Sequence, residues 1–374
     1  MAYFDYAATT PLHKRAQEAM QKTSTDFSGN PSSLHNEGIT ARKHLNGLKT
    51  TIASLLNAER KNIIMTSSGT EANNLAIKGS YFKTPNKRII TSTIEHHATE
   101  NPVKFLAKQG ADVQFIPVDT EGFIDIETLK QTLSNDTALV SIIYANNEIG
   151  TIQSIEPIRT LCKQFGVKIH LDMVQAPMHE TIDFKALDVE FISISAHKFG
   201  GPRGVGCLLI KDLESIEPLI HGGKQEFSLR AGTENLAGVA GFSAALEVSI
   251  KNMDRHNEHV KKLAKRFLEG LDQTTIDYRL NGPSLEGNRL ANVLNIGFKN
   301  ENAEMLSFQL NQHDIYVSLG SACDSDNIEP SHVLKAIDVP DAFINGSLRF
   351  SFGDDNTEAD IDYAVHVLQS IIEQ

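Results

Sequence analysis

Cysteine is scarce in this chain: three residues among 374. So few thiols in so long a chain exclude a disulfide framework. The 14 histidines form no H-E-x-x-H pattern and the cysteines no C-x-x-C, which removes the commonest zinc sites. Positive charge is also short, with 35 Lys and Arg against 47 Asp and Glu and a formal net charge of -12. That balance argues against a nucleic-acid or anionic-membrane binder driven by bulk electrostatics. Long apolar runs are missing too, and none approaches the roughly 18 residues of a membrane span. The opening MAYFDYAATTPLHKR has no basic start followed by an apolar stretch, so no secretory leader is expected. Together these absences point to a reducing, cytoplasmic setting.

What remains is an ordinary globular mixture, 40% hydrophobic and 22% charged, long enough for about two domains. From about residue 60, short apolar runs alternate with amphipathic stretches. NIIMTSS, KRIITST, DVQFIPV, ALVSIIYAN, VKIHLDM, FISISA and VGCLLIK read as strands. TEANNLAIKGSYF, ENPVKFLAKQG, IETLKQTL and IEPIRTLCKQFG read as helices between them. Such alternation predicts crossover units and an α/β fold with a mostly parallel sheet covered by helices on both faces. After about residue 235 the pattern changes to one long helix, then ANVLNIGF, AEMLSFQLNQ, IYVSLG, SLRFSFG and a final helix. This predicts a smaller α+β domain. The expected division is a large domain over 14–250, and a small one formed by 1–13 and 251–374.

In open α/β sheets, ligands sit at the carboxyl ends of the strands. After NIIMT comes SSGTEANN, a turn opening a helix, whose free N–H groups suit a phosphate. After VKIHL comes DMVQ, with Asp172 at the strand end and Gln175 beyond it. After FISIS comes AHKFGGPRGVG, with Ser195, His197 and Lys198 at a Gly-rich turn. Each has a plainer reading: an N-cap, two loop polars, a solvated lysine. Falling at one sheet edge, they match the needs of pyridoxal phosphate: a Schiff-base lysine, a carboxylate for the pyridinium nitrogen, and donors for the phosphate. A dinucleotide site would want G-x-G-x-x-G after the first strand, and none is present.

With these residues in place, the chain resembles the cysteine desulfurases of the class V aminotransferase family. The resemblance runs in order through YFDYAATTP, GNPSSLH, TSSGTEANNLAIKG, IEHHA, NNEIGTIQ, HLDMVQA, SISAHKFGGPRGVG, RAGTEN, SACDSDNIEPSHVL and SLRFSFG. It implies an aminotransferase-like large domain and a small domain carrying the Cys323 loop. Lys198 would form the Schiff base with pyridoxal 5'-phosphate. Asp172 would pair with the pyridinium nitrogen and Gln175 with the phenolic oxygen. Gly69, Thr70, Ser195 and His197 would hold the phosphate, and Thr233 would reach the phosphate in a partner subunit, implying a homodimer. His96 would stack on the ring and help move protons. Asn147, beside the cofactor, and Arg349 would grip the substrate carboxylate. Taken singly, His96 also reads as a core histidine, Arg349 as a structural ion pair, Asn147 as a turn residue and Thr233 as a helix cap.

The implied activity converts L-cysteine to L-alanine. The Cys323 thiolate takes the sulfur as a persulfide and passes it to a protein acceptor for iron-sulfur cluster assembly or tRNA thiolation. No resident metal is implied; Cys323 is the one residue placed to hold a cluster transiently. No contact with nucleic acid or membrane is implied. A selenocysteine lyase or aminotransferase of the same cofactor group, and a non-catalytic scaffold, stay open as alternatives. Cys323 sets the first pair apart, since transamination needs no thiol. The family's usual Thr-Ser-Gly-Ser-type stretch is replaced here by Asp324-Ser325-Asp326-Asn327. A free thiol titrates near ~8.5, and nearby Asp324, Asp326 and Glu329 would raise it. Cys162 and Cys207 lie in helical and strand patterns and read as buried small hydrophobes.

Overall fold

The computed structural model describes residues 1–319 and 330–373. Its strands are β1 (Ala2–Tyr3), β2 (Ile63–Thr66), β3 (Arg88–Ser92), β4 (Asp112–Ile116), β5 (Thr137–Ile143) and β6 (Lys168–Asp172). β7 (Phe191–Ser195), β8 (Gly206–Ile210), β9 (Tyr278–Asn281), β10 (Val293–Phe298), β11 (Ile315–Tyr316) and β12 (Ser347–Ser351) follow. Seven of them form the main sheet in the order β2-β8-β7-β6-β5-β3-β4. The pairs among β3 to β7 are parallel, as the alternating pattern predicts. Every residue of β2, β5, β7 and β8 is buried, which is why these strands read as unbroken apolar runs rather than alternations.

β8 is the exception to the parallel order, running antiparallel to both β7 and β2. Its connection to β7 contains only the single 3-10 turn Ala196–Lys198, too little chain for a crossover helix. The reversal keeps Lys198 at the carboxyl end of β7, beside the ends of the parallel strands.

The smaller sheet is antiparallel, in the order β12-β10-β9, and β1 pairs with β11 in a separate parallel ribbon. The IYVSLG strand is shorter than its sequence pattern suggests. After Tyr316 the backbone turns to a single bridge between Ser318 and Arg349 instead of extending the ribbon. The last helix, Glu358–Ile372, starts on a Thr357–Asp360 capping box.

Two large apolar clusters stand out. One packs on one face of β5 to β7 and includes Val239, Phe242 and Leu246, while a separate cluster with Leu139, Phe191 and Leu208 fills the other face. The other large cluster joins Ala2 and Phe4 to β10, β12, Val260, Leu263, Phe267 and Leu271. A single helix, Leu236–Leu271, about 54 Å long at ~1.5 Å per residue, contributes to both. Val333, Leu334 and Ile337 pack instead on Ile94, Ile143 and Ile149, next to the strand ends of the main sheet. Cys162 and Cys207 are fully buried, and burial pushes both thiols up to about 12. They are the inert hydrophobes their contexts predict. Cys323, Asp324, Asp326 and Glu329 lie outside the described residues. Among the described residues, no helix is long and apolar enough to cross a membrane.

Candidate active site

One cavity of about 210 Å3 opens at the carboxyl ends of β5, β6 and β7. It gathers Gly69, Thr70, His96, Asn147, Asp172, Gln175, Ser195, His197, Lys198 and Arg349 into its wall. Asp172 and Ser195 are the last residues of β6 and β7, Gly69 and Thr70 open the helix after β2, and His96, Asn147, Gln175, His197 and Lys198 follow strand ends, while Arg349 stands inside β12 of the smaller sheet.

The helix Gly69–Lys83 starts at this wall, with Ser68 as N-cap accepting from Glu71 N at 3.1 Å. The N-cap and a helix start that could cradle an anion therefore coexist: the cap takes one backbone donor, and the first turn keeps its other N–H groups outside the helical ladder. A Cβ at Gly69 would meet Val174 Cγ2 at 2.6 Å and Ser195 Cβ at 3.3 Å, so only glycine fits between β7 and the turn. Ser195 and His197 complete this side. His197 is held down to about 4 by burial first, then by the Lys198 and Arg203 charges, so its ring is neutral at physiological pH. Its Nδ1 lies 3.2 Å from Thr9 Oγ1.

Asp172 ends β6, 5% exposed. Its Oδ2 accepts from Asn73 Nδ2 at 2.6 Å and its Oδ1 from Val174 N at 3.1 Å. Two fixed donors orient this carboxylate, whereas an incidental loop polar would be left to solvent. Gln175 donates through Nε2 to Ala7 O at 2.9 Å. Lys198 Nζ donates to Ala7 O at 2.6 Å and Ala8 O at 2.9 Å.

His96 is the N-cap of the helix His97–Ala107, its Nδ1 accepting from Ala98 N at 3.0 Å. That bond leaves Nε2 as the protonated nitrogen of the neutral ring. Beside it, Glu95 is 1% exposed and its Oε1 accepts from Ser92 Oγ at 2.5 Å and Ile143 N at 2.9 Å. Burial, reinforced by the Asp172 charge, pushes its carboxyl up to about 8, so it sits as a neutral acid. Asn146, not Asn147, ties the following turn: Asn146 Oδ1 accepts from Glu148 N and Ile149 N at 2.8 and 3.0 Å. The Asn147 side chain is thereby spared for the cavity it lines.

Arg349 is 1% exposed. Its Nη2 donates to Asp5 Oδ1 at 2.8 Å and its Nη1 to Asn147 O at 3.0 Å, while Nε is buried without a partner. It is an ion pair and a cavity wall at once. Thr233 is not part of the wall. It is exposed, and the cap of the helix beginning at Leu236 is Asn235, which accepts from Gly238 N at 2.9 Å. Nearby Arg230 pairs with Glu71 of the cradle helix at 2.9 Å.

Sequence reasoning missed Asp5, Ala7, Ala8, Asn73 and Glu95. The N-terminal YFDYAATTP was legible as a motif, but its carbonyls and carboxylate meet Lys198 and Arg349 only through tertiary packing. Asn73 had a local signal: it faces the sheet one helical turn after the cradle.

Comparisons with known proteins agree with this fold. The family model for aminotransferase class-V matches residues 2–364. The cysteine desulfurase IscS of Dictyoglomus turgidum is 45% identical over 374 residues, covering all of this chain and 94% of that protein. The cysteine desulfurase IscS of Methanosarcina thermophila is 42% identical, covering all of this chain and 92% of its own length. Among solved structures, a NifS-like protein superposes with a TM-score of 0.92 at 34% identity, covering 100% and 99% of the two chains. The cysteine desulfurase of Thermococcus onnurineus NA1 superposes at 0.87 with 25% identity, covering 100% and 94%. With fold and full-length similarity in agreement, this chain belongs to the cysteine desulfurases of the class-V aminotransferase family.

Proposed function

We propose that this protein, with pyridoxal 5'-phosphate bound, converts L-cysteine to L-alanine and retains the sulfur as a persulfide on Cys323. The observation that carries this reading is the convergence of Lys198, Asp172, the Gly69–Thr70 helix start and Arg349 on one cavity. The donor set fits that cofactor. The helix N-terminus with Ser195 and neutral His197 suits a phosphate dianion, Asp172 a protonated ring nitrogen, and Lys198 a Schiff base. Bound there, the group supplies an electron sink for charge developing at the substrate's Cα.

The chain's own residues do the rest. Arg349 and Asn147 hold the substrate carboxylate, and the Lys198 amine takes the Cα proton. His96 offers its Nε2–H as a donor while its Nδ1 stays bound to the helix. Cys323 attacks the substrate sulfur: the C–S bond breaks, an S–S bond forms, and the thiol's proton is retained by the alanine that leaves. The persulfide then passes to a protein acceptor serving iron-sulfur cluster assembly or tRNA thiolation. The reaction proceeds in a cytoplasmic homodimer, in which exposed Thr233 of each subunit reaches the other's phosphate.

The test is alanine release from L-cysteine by the purified yellow protein. Cys323→Ala keeps the cofactor absorbance and lowers alanine release by about 10²-fold or more, while Lys198→Ala loses the Schiff-base absorbance itself. A Cys323→Ala variant that turns over cysteine normally rejects the persulfide step.

A further inference from the structure

The N-terminal stretch Asp5–Ala8 touches both handles that must grip one amino acid. At one end, Asp5 Oδ1 accepts from Arg349 Nη2 at 2.8 Å. At the other, Ala7 O and Ala8 O accept from Lys198 Nζ at 2.6 and 2.9 Å. Ala7 O also accepts from Gln175 at 2.9 Å. The stretch is fixed on its own account. Tyr3 Oη donates to Asp5 O at 3.1 Å and Thr9 O at 3.2 Å, and Ala7 N donates to Ser351 Oγ at 2.9 Å.

Arg349 needs such a fixture. Its guanidinium has five N–H donors, and a buried guanidinium left without partners turns to find them. The backbone of Arg349 is pinned to Ser318, with N to O distances of 2.8 and 3.2 Å in the two directions. Among the described residues, the side chain donates to Asp5 and to the Asn147 carbonyl. Of the two, Asp5 alone is charged, and charge-assisted bonds are about twice as strong as neutral ones.

We infer that Asp5 is a positioning residue that sets the Arg349 guanidinium, and thereby the substrate-carboxylate site, at a fixed distance from Lys198. The inference rests on the proposed role of Arg349. Asp5 is not part of the cavity wall; it acts through Arg349.

Competitive inhibition of the pyridoxal-phosphate-loaded enzyme tests it, using two thiols that each keep one handle. The thiol 3-mercaptopropionate has the carboxylate and no amine; cysteamine has the amine and no carboxylate. Asp5→Asn is expected to raise KM for L-cysteine and the inhibition constant of 3-mercaptopropionate by about tenfold, with cysteamine inhibition and cofactor absorbance held within about twofold. Asp5→Glu, which keeps the charge, recovers part of the loss. Tyr3→Phe removes only a tether of the stretch and shifts the same constant in the same direction by less, so a poorly folding Asp5→Asn does not block the test. Arg349→Lys separates the two levels. If it weakens 3-mercaptopropionate while the Asp5 and Tyr3 variants leave that inhibitor unchanged or tighter, Asp5 is a competing counter-ion or a bystander and the inference is overturned. If Arg349→Lys itself leaves 3-mercaptopropionate unchanged, the carboxylate role of Arg349 falls, and the inference with it.

Discussion

Glu95 shows how a single side chain next to the site is governed by burial. Its carboxyl is raised to about 8, and desolvation is the first cause. The folded state therefore binds a proton that the unfolded chain, titrating near ~4.3, has already released. The sign follows: Glu95 costs nothing below the unfolded value, and its cost to stability grows as pH rises toward the folded one. Glu95→Gln carries no proton, and its side-chain oxygen still accepts from Ser92 and Ile143. Its unfolding free energy is expected to gain on the wild type by about 1.4 kcal/mol per pH unit between roughly pH 5 and 8, and to level off above. Denaturant titrations at several pH values read this directly, and a pH-independent difference would contradict the neutral-acid assignment. The residue was invisible in IEHHA, because burial is a property of what packs on a position.

At the scale of the element, the helix start at Gly69 is the most constrained piece of the site. A methyl group there collides with Val174 on the turn after β6 and crowds Ser195 at the end of β7. Overpacking of this kind costs about 1–3 kcal/mol and here pushes the first turn away from the two strands. Gly69→Ala is expected to weaken pyridoxal-phosphate binding by about tenfold or more, measured by absorbance on reconstitution. Unchanged affinity would mean that the first turn contributes nothing to holding the phosphate. This element was readable beforehand, since Ser-Gly-Thr after an apolar run and before a helical pattern is local chemistry. So was the turn with Lys198. The reversal of β8 was not read: an apolar run looks the same in either direction, and only the short link to β7 decides it.

At the scale of the molecule, the site is built where pieces distant in sequence meet. Arg349 comes from the smaller sheet, Asp5 from the N-terminus and Lys198 from the main sheet. The helix Leu236–Leu271 ties the two apolar clusters that carry them. His256 on that helix bonds Asp354 at 2.7 Å and stands 5.0 Å from the buried His179 ring, adding a polar contact along the seam. Thr233, exposed and away from the cavity of its own chain, has its proposed task in a second copy. Light scattering is expected to give twice the chain mass. Thr233→Ala is expected to stay dimeric and to bind pyridoxal phosphate about tenfold more weakly, the loss of one hydrogen bond to a charged group. A monomeric, fully cofactor-loaded protein would refute that arrangement.

The sequence by itself determined most strands and helices and the chemistry at the strand ends. Those follow from periodicity, caps and turn residues, which act over a few neighbouring positions. It also carried the ordered motifs from which Lys198, Asp172 and Arg349 were named. Tertiary structure alone decided which groups face each other: Asn73 on Asp172, Asp5 on Arg349, and the Ala7 and Ala8 carbonyls on Lys198. These partners are separated by 99 positions at the least. Contacts at such separations depend on the packing of two cores, and a backbone carbonyl leaves no mark in a sequence to say what it will accept.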